Sequence, residues 1–144
     1  MGRVLALDLG EKRIGIAVSD PTQTIAQPFK TIPFKTIKLL ISDLSELIEN
    51  NNIELIVVGF PLTMKGGFSA KTNEVTDIFE KLRSQISISM LLFDERLTTA
   101  LAHKTIHQLE KKPSKERNKI DQLAAVHLLQ NYLDTESNKR KIKR

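Results

Sequence analysis

The chain has 144 residues, 40% of them hydrophobic, with no cysteine and a formal charge of +5, which suits one domain with a sizeable core and excludes disulfides and thiolate zinc sites. No apolar run approaches the ~18 residues of a transmembrane helix, and the N-terminus runs straight into a strand with no signal peptide visible, so the expectation is a cytoplasmic protein with no membrane partner. The charge is uneven: residues 111–119 (Lys111, Lys112, Lys115, Arg117, Lys119 against Glu116) and residues 135–144 (Lys139, Arg140, Lys141, Lys143, Arg144 against Glu136) each sum to +4, leaving −3 for the rest.

Residues 3–9 and 13–19 read as two strands joined by a tight turn at Gly10, each an apolar run of strand length. The first carries an acid, Asp8, in its interior, where a carboxylate is costly to bury unless a metal ion or a paired cation offsets its charge. Thr24 to Ile32 reads as a third strand, kept to a sheet edge by Pro28. From Pro33, Ile37, Leu40, Ile41, Leu44, Leu47 and Ile48 recur at helical spacing until the run Asn50–Asn52 ends the helix. Residues 54–59 are a short apolar strand of the type buried in parallel sheets. Phe60 to Ser69, with Pro61, Gly66 and Gly67, reads as a βα loop, a common place for sites.

Val75, Ile78, Phe79 and Leu82 mark a second helix. Ile86 to Phe93 reads as a last strand ending on Asp94-Glu95, and Leu97, Leu101 and Leu109 suggest a helix after it. Lys111 to Asn118, with Pro113, reads as a basic loop. Ile120, Leu123, Ala124, His127, Leu128 and Leu133 fall near one face of a final helix. A meander followed by βα units predicts an α/β fold: a mixed five-stranded sheet flanked by helices. No repeat or linker divides it, so residues 1–134 read as one domain and 135–144 as a basic, disordered tail.

Three acids occupy positions suited to chemistry. Asp8 lies in the first strand, Glu95 at the end of a late strand, and Asp121 a turn into the final helix. Ligands collect at the carboxyl ends of parallel strands, and if the first and last strands are neighbours, Asp8 and Glu95 converge there. Three carboxylates without cysteine favour a hard cation, Mg²⁺ or Mn²⁺. One or two such ions activate water and stabilise the leaving oxygen in phosphodiester cleavage. The plainer reading of Asp121 is an acid in a first helical turn, and spacing alone does not separate Asp94 from Glu95. His103 and His107 share i,i+4 spacing without the glutamate of a zincin motif, and His127 reads as a packed core residue. One Tyr and no Trp argue against a base-stacking platform.

Four blocks in order, Leu7-Asp8-Leu9-Gly10 with residues 12–20, Val57–Leu62, Asp94–Thr99 and Asp121–Ala125, resemble the YqgF (RuvX) family of pre-16S rRNA nucleases. That family is itself similar to RuvC-type Holliday-junction resolvases. The resemblance spans about residues 2–134. It implies an RNase H-like fold and divalent-metal-dependent cleavage, with Asp8, Glu95 and Asp121 as catalytic and metal-holding acids. By motif, Glu95 is preferred over Asp94. The substrate implied is nucleic acid, precursor 16S rRNA above all, with the ribosome as a partner and a monomer or dimer as the working form.

Two positions depart from the pattern. Lys65 stands where the family often has Asp before Gly. Ala124 stands where RuvC-type resolvases carry a further acid, which counts against the alternative of a Holliday-junction resolvase acting on branched DNA. A non-catalytic nucleic-acid-binding module is the other alternative. An actin-like ATPase shares the strand-acid-glycine opening but needs two related domains. Candidate phosphate contacts are Lys12, Arg13, Arg96, Lys115, Arg117 and Lys119, although Lys12 and Arg13 read equally as a solvated turn and Arg96 as a partner for a nearby acid. Gly10 and Gly15 read as turn geometry or as room for a phosphate, and Thr98 or Thr99 as a helix cap.

Overall fold

Alternation along the first two strands decides which way the sheet faces. Leu5, Leu7 and Leu9 of β1 (Arg3–Leu9) and Ile14, Ile16 and Val18 of β2 (Arg13–Ser19) share one buried cluster, whereas Val4, Ala6 and Ala17 share another. Both faces of the sheet are therefore covered, as the near-continuous apolar runs require. The computed structural model describes residues 2–10, 12–60, 70–94 and 114–142. The remaining described elements are β3 (Ala26–Pro33), α1 (Ile37–Asn51), β4 (Ile53–Phe60), α2 (Ala70–Gln85), β5 (Ser89–Asp94) and α3 (Ser114–Ile142).

The strand order is β3-β2-β1-β4-β5. β1 pairs antiparallel with β2 and parallel with β4, β2 antiparallel with β3, and β4 parallel with β5. This is the expected mixed five-stranded sheet, with β3 at an edge, where Pro28 removes no ladder bond that the sheet needs. One expectation fails: the first and last strands are not neighbours. β4 lies between them and puts β5 about 10 Å from β1.

The helices follow their local signals. Thr36 caps α1 through its side-chain oxygen, which accepts from the Leu39 N–H at 3.1 Å, and Asn52 ends the helix in the left-handed region at φ 53°. Asn tolerates that region better than most residues. α1 and α2 cover one face with Leu40, Leu44, Leu47, Val75, Phe79 and Leu82; α3 covers the other with Ala125, Leu128, Leu129 and Leu133.

α3 runs further at both ends than the sequence pattern suggested. It begins at Ser114, so residues 114–118 are helix rather than basic loop, and it continues to Ile142 through most of the segment read as a disordered tail. Its 29 residues span about 43 Å. Hydrophobic periodicity marks only the stretch of a helix that packs, so the polar ends carried no signal. The loop expected after Phe60, the helix expected around Leu97–Leu109, and His103 and His107 lie outside the described residues. His127 is half-buried, a packed position on α3.

Candidate active site on the α3 face of the sheet

Asp8 pairs with Gly15 of β2. On its other side Leu7 pairs with Val58, so the next step along the strands brings Asp8 level with Gly59, which pairs with Phe93 of β5. Ala6, Ala17, Val57 and Phe93 all belong to the α3-side cluster. Side chains alternate along a strand, so Asp8, Gly15 and Gly59 face α3 as well. The half-buried Asp8 carboxylate thus stands between two residues without side chains.

Gly15 has a second role that its position in mid-strand makes plain. A Cβ built on it would lie 2.0 Å from the backbone oxygen of Asp121. The backbone of α3 therefore rests directly on β2 at this point, and only glycine permits the approach. Adjacent strands place Asp8 and Gly15 about 5 Å apart, so Asp121 is delivered beside Asp8. Gly10, by contrast, is a turn residue: its N–H donates to the Arg13 carbonyl at 2.9 Å, and a Cβ there would meet that oxygen at 2.6 Å.

Arg13 lies on the same face, one step beyond Gly15. Its Nε donates to Oδ2 of Asp121 at 2.8 Å across 108 residues of sequence. The side chains of Arg13 and Asp121 are 30% and 24% exposed, so screening by solvent is incomplete and the charge-assisted bond holds both groups. Arg13, read from sequence as a phosphate contact or a solvated turn residue, pairs with the candidate acid Asp121. Spacing carried no signal for this, because the pairing depends on where α3 crosses β2.

Of the three expected acids, Asp8 and Asp121 are brought together. Glu95, like Arg96, lies outside the described residues. β5 runs parallel to β4 and ends at Asp94, so the chain leaves the sheet at the same edge as Asp8. Among the described residues no group of three metal-ligating side chains is assembled. The candidate donors still fit a hard divalent cation, since Asp8 and Asp121 offer carboxylate oxygens only.

Lys115, Arg117 and Lys119 belong to the first two turns of α3, ahead of Asp121. Ala124, one turn after Asp121, is half-buried and offers no oxygen. Asp20, at the far end of β2, is held by its own turn. Its carboxylate accepts from the N–H groups of Ile25 and Thr24 at 2.8 Å each, from the Thr22 N–H at 3.1 Å and from the Thr22 hydroxyl. The Ile25 bond first, then the Thr22 hydroxyl and the Thr24 bond, hold it well below the usual carboxylate range.

The profile of the family described as RuvX, Holliday junction resolvase, matches residues 2–135. A protein of Roseiflexus sp. (strain RS-1) named "Putative pre-16S rRNA nuclease" is 40% identical over 135 residues, covering 94% of this chain and 96% of that protein. One of the same name from Acetivibrio thermocellus is 38% identical over 135 residues, covering 92% and 96%. Among solved structures, T. thermophilus RuvC in complex with a Holliday junction substrate superposes with a TM-score of 0.55 at 13% identity, covering 94% of this chain and 96% of that chain. Fowlpox virus resolvase in complex with Holliday junction DNA gives 0.52 at 11% identity, covering 92% and 97%. At those identities the two structures establish the RNase H-like fold alone.

Proposed function

Because the chain belongs to the RuvX family, we propose that it is a divalent-metal-dependent endonuclease that cleaves phosphodiester bonds in precursor 16S rRNA. The observation that carries this reading is the row Gly15-Asp8-Gly59 with Asp121 seated over its first residue. It sets two carboxylates on an otherwise apolar, closely packed sheet face. Asp8, Asp121 and Glu95 are the residues that would hold one or two Mg²⁺ or Mn²⁺ ions. When bound, such ions activate water and offset charge on the leaving oxygen.

The chain's own residues supply the rest. Asp8 is fixed by the central strand, so its carboxylate needs no reorganisation when the substrate arrives. Gly15 lets α3 carry Asp121 up to the strand beside it. Lys115, Arg117 and Lys119 on α3, with Lys12 and Arg96, hold the flanking phosphates and set the register of the strand rather than its sequence. Water attacking phosphorus from the side opposite the leaving group breaks the P–O3′ bond and leaves a 5′-phosphate and a 3′-hydroxyl. The protein works in the cytoplasm, on rRNA within or near the assembling ribosome. Ala124 disfavours the branched-DNA reading, because it supplies no oxygen where RuvC-type resolvases have a further acid.

The test is cleavage of precursor rRNA and of four-way-junction DNA by the purified protein with Mn²⁺ or Mg²⁺, beside Asp8→Asn. The expected result is RNA cleavage that Asp8→Asn lowers by about two orders of magnitude or more, with the melting temperature retained because the side-chain shape is kept. Undiminished cleavage by Asp8→Asn overturns the site. Preference for the junction overturns the substrate.

A further inference from the structure

The Arg13–Asp121 pair engages Oδ2, one of the two oxygens that Asp121 offers a cation at this site. We propose that Arg13 is a built-in counter-ion of the carboxylate site: it holds Asp121 when no metal is bound and must yield Oδ2 when a divalent cation binds. The inference rests on the metal-site reading above and goes beyond it by assigning Arg13 a positioning role.

Three observations carry it. First, the bond is short and made by Nε to Oδ2 at 2.8 Å, so that oxygen is already engaged. Second, both partners are held by the fold. Arg13 is fixed in β2 by pairing with Pro33 of β3 and by the Gly10 bond to its carbonyl, while Asp121 is fixed by the contact of its backbone with Gly15. The pair is a consequence of where α3 crosses the sheet and not of two mobile surface chains finding each other. Third, Asp8 is the strand neighbour of Gly15 and the Asp121 backbone sits over that glycine, so a second carboxylate lies near the pair. Like charges at such separations disfavour one another.

Two effects then act in the same direction on the cation. Arg13 competes with it for Asp121, and its guanidinium repels it. Removing Arg13 should therefore tighten metal binding while weakening the metal-free protein. A residue that merely packed against α3 would do the second without the first. A residue that contacted only the substrate would do neither.

The experiment measures Mn²⁺ binding by calorimetry and melting temperature with and without Mn²⁺, on the full chain, for the wild type, Arg13→Gln, Arg13→Lys, Asp121→Asn and the Arg13→Gln/Asp121→Asn double variant. The expected result is about three- to tenfold tighter Mn²⁺ binding by Arg13→Gln, the scale of one partly exposed charge pair. Its metal-free melting temperature falls, and saturating Mn²⁺ closes the gap to wild type. Arg13→Lys keeps the charge and stays near wild type. In the Asp121→Asn background, Arg13→Gln gains much less, since the contested oxygen is gone. Equal or weaker Mn²⁺ binding by Arg13→Gln overturns the counter-ion role alone. Absence of Mn²⁺ binding by wild type and Arg13→Gln alike overturns it together with the metal-site reading, so the two failures are told apart.

Discussion

The two faces of the sheet are built from the same strands and differ in what they carry. Toward α1 and α2, β1, β2 and β4 present Leu5, Leu7, Ile14, Ile16, Ile56 and Val58, all fully buried. Toward α3, the same strands present Val4, Val57, Ala6, Ala17, Gly15, Gly59 and Asp8. Large branched side chains fill one layer to the density of a protein interior, each contributing about 1.5–3 kcal/mol. Small ones on the other face let α3 approach until its backbone touches β2 at Gly15. The difference teaches that both faces supply packing while the candidate acids are confined to one: α3 packs closely over small residues and brings Asp121 to the side that carries Asp8.

The largest effect should come from damaging the point where the second face depends on close approach. Gly15→Ala places a Cβ 2.0 Å from the Asp121 oxygen, and backbone on both sides must move. Misplacement near 1 Å costs about two orders of magnitude in rate, so cleavage should fall by roughly that much, measured beside a far smaller change in circular dichroism. Activity near wild type would mean that the seat of α3 is not needed for catalysis.

The comparison predicts the reverse for the packed face. Leu44 is fully buried between α1 and the sheet, and Leu44→Ala should lose about 2–5 kcal/mol of stability in a urea titration. Cleavage per folded molecule should stay within about twofold at 20 °C, because one core truncation away from the site leaves the catalytic geometry in place. A large loss of specific activity would show that the faces are coupled rather than separate.

Ser19 tests the rim of both. It is fully buried, and its hydroxyl accepts from the Val4 N–H and donates to the Asp20 carbonyl, each at 2.9 Å. Ser19→Ala strands the Val4 donor, so a loss of about 1–3 kcal/mol is expected, read as a lower urea midpoint with an unchanged slope.

The smallest effect belongs to the turn after β2. The bonds from Ile25, Thr22 and Thr24 hold the ionisation of Asp20 below the ordinary range. A depressed value in the folded state favours folding above the ordinary carboxylate value, and the benefit is lost as pH falls through the folded one. At pH 3, where a carboxylate of ordinary value is largely protonated, the Asp20 carboxyl carbon should still report the ionised form by NMR. Ordinary titration would show that the turn is open in solution.

Much of this was legible in the chain. Strand runs and helical spacing located β1, β2, β4 and α1 to within a residue or two, since the apolar pattern follows the faces those elements bury. Asp8 stood out because a carboxylate inside an apolar strand needs an explanation. Less legible were β5, which begins at Ser89 rather than Ile86, and the ends of α3, where exposed turns have no apolar period to read. The pairing of Arg13 with Asp121 has no local signal in the chain.

Sequence alone determined the local facts: which segments are strands, which acid is anomalous, where charge accumulates, and through its motif blocks which family the chain resembles. Only the tertiary structure decided that β4 separates β1 from β5, that Gly15 is a seat for α3 rather than part of a turn, and that Arg13 and Asp121 meet across 108 residues. The reason is physical. Periodicity records which side of an element is buried, but not which element buries it. Strand order and helix crossing are set by how all the faces pack at once, and the candidate site lies at their crossing.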